Sequence, residues 1–255
     1  MQFSANLGFL WTELPLPAAI RAAARAGFAA VECHWPYQVP VADVVAALAE
    51  TGLPMLGLNT ARGAHGEFGL AALPGRQAEA RAAIDEALAY AAATGTRAVH
   101  VMAGKAEGAG ARAAFVTNLR HAALAAPDRT ILIEPLNPRD VPGYFLNTTA
   151  QARAIIEELA LPNVKLMFDC YHVQISEGDL CQRLTTLLPL IGHIQIAAVP
   201  SRAEPDRGEV DYRFVLDHIA GLGWQMPVGA EYRPAAGTEA GLGWIGKLSG
   251  GPEPS

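Results

Sequence analysis

The sequence predicts a single (β/α)8 barrel, and three observations support this prediction. Short apolar segments typical of strands alternate with longer segments typical of helices, and eight such pairs follow one another along the chain. The length of 255 residues suits one barrel, which typically needs about 250 residues. Four consecutive strand segments also end in a side chain that carries an oxygen atom. No linker divides the chain, so we expect one barrel over residues 1–248 and a disordered tail over residues 249–255.

The first four pairs are predicted from apolar runs and from the glycines that follow the helices. The helical segments are rich in alanine, and Gly27 and Gly95 stand where two of them should end, since glycine readily adopts the left-handed conformation found there. A longer loop over residues 60–73 contains Arg62 and His65. The predicted strands are residues 3–9, 28–33, 53–59 and 98–102, and the predicted helices are residues 16–26, 41–50, 75–94 and 111–126.

The last four pairs include the most informative strand. Residues 130–134 form an apolar run that stops at the carboxylate of Glu134, and Pro135 has no N–H group with which to continue a central strand. Thr148 or Thr149 is suited to cap the next helix. The other predicted strands are residues 164–169, 191–197 and 228–231, and the predicted helices are residues 148–160, 178–190, 210–220 and 238–247.

Motifs of the competing fold are missing. A doubly wound open sheet is the alternative, but GxGxxG does not follow the first strand and GxxxxGK[ST] does not occur, so the dinucleotide-binding and phosphate-loop versions lack their fingerprints.

Composition excludes several classes of protein. Hydrophobic residues make up 51% of the chain and charged residues 17%, which is enough to build one large core. The net charge of −6 and the scattered basic residues argue against a nucleic-acid partner. We find neither a signal peptide nor an apolar run of the roughly 18 residues that a membrane span needs. The three cysteines, Cys33, Cys170 and Cys181, form no CxxC pair, which is typical of reduced thiols in a cytoplasmic protein.

Four side chains at the predicted strand ends suggest a metal site. Glu134, Asp169, Gln195 and Glu231 fall at the carboxyl ends of consecutive strands, where the active sites of such barrels lie. Each offers an oxygen ligand of the kind that Mg²⁺ or Mn²⁺ prefers. Any one of them could instead cap a helix or pair at the surface. Three carboxylates brought together would repel one another unless a cation neutralised them, so we predict a divalent metal.

Further polar residues lie near the predicted site, and each has a simpler interpretation. His172 could bind a substrate oxygen, orient a metal ligand or cap a helix. His193 could support Gln195 from one layer deeper or be an ordinary core histidine. Arg202 could clamp a substrate carboxylate, with Glu209 as a partner, or be a solvated loop residue. Other side chains that could line the pocket are Asn6, Glu32, His34, Asn59, His65, His100 and Lys105, with Trp11, Trp35, Tyr37 and Phe68 as apolar walls or core residues.

Seven segments resemble, in the same order, those of the hydroxypyruvate isomerase family. This family belongs to the xylose isomerase-like TIM barrels and includes 2-oxo-tetronate isomerases. The resemblance covers nearly the whole chain. The segments are FSANLGFLW, VECHWPY, LNTARGAHGEFGLAALPGR, IEPLNPRDVPGYFL, FDCYHVQISEGDL, GHIQIAAVPSRAEPDRGEVDY and GAEYRPAAGTEAGLGW.

The resemblance implies roles for particular residues. Glu134 and Glu231 correspond to the catalytic acid/base pair and, with Asp169 and Gln195, to the metal ligands. Many related epimerases have a histidine at the position of Gln195, so the glutamine oxygen favours the isomerase branch and a harder metal. The resemblance further implies that His172, Arg202 and the loop residue His65 bind substrate.

The resemblance also implies an activity in carbohydrate metabolism. This activity is the reversible aldose–ketose isomerisation of hydroxypyruvate and 2-hydroxy-3-oxopropanoate (tartronate semialdehyde), metal-assisted and passing through an enediolate. A 2-oxo-tetronate isomerase is the nearest alternative, followed by a ketose 3-epimerase and a non-catalytic module that binds sugar acids. The related DNA-repair enzymes need more histidines and a basic groove. A homo-oligomer is expected by analogy only.

Overall fold

The computed structural model describes residues 1–249, so residues 250–255 of the predicted tail lie outside the described part of the chain. Eight short parallel strands form one sheet. They are β1 (Phe3–Asn6), β2 (Ala30–Glu32), β3 (Gly57–Asn59), β4 (Ala98–His100), β5 (Thr130–Ile133), β6 (Val164–Asp169), β7 (Ile191–Ile196) and β8 (Val228–Ala230).

The strand order shows that the sheet curls into a nearly closed barrel. Strands β3 to β8 pair in sequence, β8 pairs with β1, and β1 pairs with β2. An isolated parallel bridge between Val31 and Met55 connects β2 to the segment before β3. Backbone N–H groups of Val31 and Leu56 donate to Pro54 and Val31 across this seam at 3.0 and 2.8 Å. The prediction of a (β/α)8 barrel is therefore confirmed.

Helices connect successive strands on the outside of the barrel. The long helices end where predicted, and Gly52 and Gly95 adopt the left-handed conformation at the carboxyl ends of two of them. The helices are α1 (Leu16–Arg25), α2 (Val41–Thr51), α3 (Gln77–Thr94), α4 (Gly108–Ala125), α5 (Thr149–Leu159), α6 (Cys170–Ser176), α7 (Leu180–Leu187), α8 (Tyr212–Gly221), α9 (Thr238–Gly241) and α10 (Trp244–Leu248).

Two predicted helices were wrong in detail. The helix predicted over residues 178–190 is α7 followed by a 3-10 turn over Leu188–Leu190, because Pro189 lacks the N–H group that would continue it. The helix predicted over residues 238–247 is divided into α9 and α10 beside Gly243, since glycine is a poor helix former. The short helix α6 was not predicted. It begins directly after Asp169, whose side chain caps it.

Most strands are shorter than predicted, because the chain turns away from the sheet soon after the polar residues at the strand ends. Strand β1 ends at Asn6, three residues earlier than predicted. The backbone N–H groups of Phe9 and Leu10 donate to the Asn6 carbonyl at 3.1 and 2.9 Å, which forms a turn directly after the strand. The polar residues at the strand ends therefore stand at the rim of the barrel. None of the described helices is long and apolar enough to cross a membrane.

Candidate active site

The structure places the four predicted strand-end residues at the same end of the barrel. Glu134 directly follows β5, Asp169 is the last residue of β6, Gln195 lies near the end of β7, and Glu231 directly follows β8. Asp169 is the register partner of Gln195, and the Glu231 N–H donates to the Ile196 carbonyl at 3.2 Å. All four side chains are buried, so their polar atoms need partners within the protein or from a ligand.

Glu134 and Asp169 are carboxylates with unused oxygens. The Glu134 Oε1 and Asp169 Oδ2 atoms are buried and accept no hydrogen bond from the described residues. The other oxygen of Asp169 accepts the Tyr171 N–H at 2.9 Å. Burial, reinforced by the charge of Glu231, raises the pKa of Asp169 to about 8 and the pKa of Glu134 well above its usual value. Arg202, whose Nη2 atom lies 3.6 Å from Asp169 Oδ2, lowers both pKa values but does not outweigh burial.

Gln195 presents its amide oxygen without a partner. Its Nε2 atom donates to Oε2 of Glu32 at 2.9 Å, and its buried Oε1 accepts no hydrogen bond from the described residues. Glu32 is itself buried at the end of β2. Gln195 thus adds a third unsatisfied oxygen at a strand end next to that of Asp169.

Glu231 has the opposite surroundings. Its Oε1 accepts from Asn6 Nδ2 at 3.0 Å and from His34 Nε2 at 3.1 Å, and its Oε2 accepts from Arg202 Nη2 at 2.7 Å. Burial alone would raise the pKa of Glu231, but Arg202 and His34 outweigh it and hold the pKa below its usual value. Glu231 is therefore an ionised carboxylate with its donors already in place.

Arg202 is an integral part of the site rather than a solvated loop residue. Its backbone has a φ of 56° in the loop after β7, and its guanidinium carbon lies 4.9 Å from the ring centres of both Phe9 and Tyr171. The Nη2 atom that binds Glu231 also lies 3.6 Å from Asp169 Oδ2. Glu209, the predicted partner, instead lies near Gln174, at 3.4 Å.

His172 is a hydrogen-bond donor toward the site. Its Nδ1 atom accepts from the Asn137 backbone N–H at 3.1 Å and faces the Asn137 amide nitrogen at 2.7 Å. Burial and the nearby Arg202 hold the pKa of His172 well below its usual value, so the ring is neutral. A neutral ring that accepts at Nδ1 carries its proton on Nε2, which lies 3.7 Å from Asp169 Oδ2.

The substrate-binding role of His65 stays a prediction. His65 is exposed in a turn of the loop between β3 and α3, flanked by Gly63 and Gly66 in left-handed conformations. We find no hydrogen bond or ion pair from His65 to the strand-end residues in the described chain. In the same loop, the Arg62 guanidinium carbon lies 4.8 and 4.5 Å from the ring centres of Trp35 and Phe68.

Asn137 and Asp140 support the site, and the sequence analysis did not single them out. Asn137 Oδ1 accepts the Asp140 N–H at 2.9 Å, which fixes which end of the amide faces His172. Asp140 also accepts from the Tyr171 hydroxyl at 2.8 Å. An Asn followed by Pro and, three residues later, Asp is typical of such side-chain-stabilised turns, and this pattern was the available signal.

The donor set fits a hard divalent cation. Potential ligand atoms of Glu134, Asp169 and His172 lie within 4.8 Å of one another. Because the His172 Nε2 atom carries a proton, the unpartnered oxygens of Glu134, Asp169 and Gln195 are the better ligands. A cation there would add to the positive charge of Arg202, which by itself does not outweigh the burial of the two carboxylates.

Comparisons with known proteins define the family. The family model described as "xylose isomerase-like TIM barrel" matches residues 20–248, so the chain belongs to that family. It is 47% identical to a 2-oxo-tetronate isomerase from Cupriavidus necator over 96% of this chain and 97% of that one. It is 38% identical to the hydroxypyruvate isomerase of Escherichia coli over 96% and 98% of the two chains. The predicted resemblance is therefore confirmed.

Solved structures agree on the fold. A crystal structure from Brucella melitensis described as an AP endonuclease of family 2 has a TM-score of 0.92 and 38% identity, covering 96% of this chain and 98% of that one. A 3-keto-D-glucoside 4-epimerase from E. coli has a TM-score of 0.81 over 97% and 98% of the two chains, but its identity of 24% shows the fold alone.

Proposed function

We propose that this chain is a hydroxypyruvate isomerase, which interconverts hydroxypyruvate and 2-hydroxy-3-oxopropanoate. The observation that carries the proposal is a pair of buried glutamates, Glu134 and Glu231, at the ends of β5 and β8, beside unpartnered oxygens on β6 and β7. The relatives named 2-oxo-tetronate isomerase and hydroxypyruvate isomerase are both isomerases, which supports an aldose–ketose isomerase activity for this chain.

A divalent metal, Mg²⁺ or Mn²⁺, would be held by Glu134, Asp169, Gln195 and Glu231. When bound, the cation stabilises negative charge that develops on the substrate oxygens. Three of these residues have a buried oxygen without a hydrogen bond in the described chain. Glu231 already binds Arg202, Asn6 and His34, so it would take part with its geometry fixed by these donors.

The two glutamates are suited to move the proton. The isomerisation moves one proton from a carbon to its neighbour and a second proton between the oxygens on these two carbons, through an enediolate, and two acid/base groups near the substrate can catalyse these transfers. Glu134 and Glu231 approach from well-separated strands, β5 and β8, and both are shielded from water. The direction of the reaction decides which glutamate removes the proton.

His172 and Arg202 are suited to hold the substrate. The Nε2–H group of His172 faces the site and can donate to a substrate oxygen, and its orientation is fixed by Asn137. Arg202 is held by its two aromatic neighbours, and a guanidinium with five N–H groups can bind a substrate carboxylate as well as Glu231. These contacts suit a small sugar acid.

A 2-oxo-tetronate isomerase is the second candidate, because the relative that is 47% identical carries that name. The two substrates differ by one carbon, and the same acid/base pair serves both. A nucleic-acid substrate is disfavoured by the net charge of −6, although a similar structure is described as an AP endonuclease. The cytoplasmic location and the homo-oligomer remain predictions.

The test is a proton NMR time course in D₂O with EDTA-stripped protein. Hydroxypyruvate and a 2-oxo-tetronate are supplied in parallel, each with and without Mg²⁺ or Mn²⁺. Metal-dependent conversion of hydroxypyruvate with deuterium entering at carbon is the expected result. Conversion of the four-carbon acid alone would transfer the proposal to the second candidate. Full activity without metal would contradict the metal site, and no conversion of either acid would contradict both substrate assignments.

A further inference from the structure

We propose that Glu32 is a positioning residue that fixes the orientation of the Gln195 amide, so that its oxygen and not its nitrogen faces the catalytic carboxylates. This inference rests on the proposed function, because it concerns a residue that supports one of the proposed metal ligands. Glu32 itself has no place among those ligands.

The problem that Glu32 solves is the near symmetry of a primary amide. The oxygen and nitrogen of Gln195 occupy almost the same volume, so packing alone does not decide which of them points to Asp169 and which points away. A flipped amide would direct two N–H donors toward the site, and an N–H group cannot bind a cation. A specific hydrogen bond must therefore select one orientation.

The Glu32 carboxylate makes that selection, because each of its oxygens faces a hydrogen-bond donor and carboxylate oxygens accept hydrogen bonds. Glu32 Oε2 lies 2.9 Å from Gln195 Nε2 and 2.9 Å from His193 Nε2, and its Oε1 accepts from the Ser4 hydroxyl at 3.0 Å. Only the amide nitrogen of Gln195 can face Glu32, which leaves Gln195 Oε1 buried and without a hydrogen-bond partner among residues 1–249.

Space for this cluster is provided by strand β8. A Cβ atom added at Gly229 would lie 2.4 Å from Glu32 Oε1, 2.7 Å from Gln195 Cγ and 2.9 Å from His193 Nε2. Gly229 is also the register partner of Gln195. The absence of a side chain at this position thus allows three polar side chains from β2 and β7 to meet inside the barrel.

The test measures Mn²⁺ affinity, without substrate, from the electron paramagnetic resonance signal of the free ion. In Glu32→Met, Gln195 loses its acceptor, and we expect affinity to fall about 10- to 100-fold, the usual cost of losing a residue that supports a metal ligand. In Glu32→Gln, the new amide retains an oxygen for Gln195 and can direct its nitrogen to the Ser4 hydroxyl, so most of the affinity should remain.

A double variant isolates the orientation itself. Glu32→Met combined with Gln195→Glu leaves the number of carboxylates unchanged and gives position 195 two equivalent oxygens, so that either orientation presents a ligand. This variant is expected to regain most of the affinity that Glu32→Met loses. If it binds Mn²⁺ as weakly as Glu32→Met, orientation is not what Glu32 provides, and the proposal is overturned.

Ser4→Ala is the matched control, because it removes a hydrogen bond to the same carboxylate but does not touch Gln195. Its Mn²⁺ affinity should stay close to that of the wild type, and circular dichroism should show that every variant is folded. Equal affinity of the wild type and Glu32→Met would overturn this proposal alone. Failure of the wild type to bind Mn²⁺ would overturn the metal site and, with it, the role of Glu32.

Discussion

The buried carboxylates on the two sides of the active site differ in their hydrogen bonding. On the side of β5 and β6, Glu134 and Asp169 are buried with one oxygen each unpartnered, and burial raises the pKa values of both groups. On the side of β8 and β2, Glu231 and Glu32 are equally buried, but each accepts three hydrogen bonds from neighbouring side chains.

This difference teaches how one barrel can combine a cation site with a preorganised acid/base group. Arg202 holds the pKa of Glu231 down through a contact of 2.7 Å, whereas at 3.6 Å from Asp169 it does not outweigh burial. A bound cation would therefore stabilise mainly the side with unpartnered oxygens. Because the carboxylates of both sides are buried, neither can be stabilised by water. Substitutions that neutralise a carboxylate should therefore have different effects from substitutions that remove a hydrogen-bond donor to Glu231.

The largest effect is expected from neutralising either glutamate of the acid/base pair. Glu134→Gln and Glu231→Gln should each lower turnover by about 10²–10⁴-fold, because each removes one proton-transfer group. Turnover is measured by NMR under saturating metal, with the exposed Glu50→Gln as the control. A variant with a near-normal rate would exclude that glutamate from the mechanism.

The next effect concerns Arg202, whose Nη2 atom donates to Glu231 Oε2 at 2.7 Å. A hydrogen bond to a charged group contributes about 1.5–3 kcal/mol, so Arg202→Ala should raise KM roughly 10- to 150-fold, more than it lowers kcat. The exposed Arg207→Ala, in the same loop, is the control. If kcat falls more than KM rises, Arg202 acts chiefly on Glu231 and is not a simple substrate clamp.

A smaller effect is expected at Gly229. Gly229→Ala should cost about 1–3 kcal/mol of folding stability, because the added methyl group overlaps Glu32 and Gln195. Gly57→Ala is the matched control in another strand, where a Cβ atom meets nothing closer than 3.9 Å. Chemical denaturation compares the two variants, and equal losses would show that the cluster tolerates the crowding.

The last prediction is a pH dependence of the stability of the metal-free protein. Burial raises the folded-state pKa of Asp169 to about 8, above its value in the unfolded chain, so the folded state retains a proton that the unfolded state has lost. Stability should therefore fall as pH rises from about 4 to about 8. Asp169→Asn should weaken this slope in EDTA-treated protein, and an unchanged slope would assign it to other groups.

The strand-end residues could be predicted because, in a parallel barrel, the residue that follows each strand lies at the same end of the barrel. Glu134, Asp169, Gln195 and Glu231 each follow a short apolar run, and parallel strands bring such ends to one rim. The substrate contact expected of His65 stays a prediction, and the structure places this residue exposed in its loop. The loop that contains His65 has no hydrophobic periodicity, so the orientation of this side chain could not be predicted from the sequence.

The sequence by itself determined the barrel and the set of polar residues at its rim, because hydrophobic alternation and chain length are local properties. Only the tertiary structure decided how those residues pair. Glu32 meets Gln195 across 163 positions, and Glu231 meets Asn6 across 225. Such contacts depend on closure of the sheet and on the register of its strands, and no local pattern encodes them. The difference between the two sides of the site is therefore a property of the closed barrel.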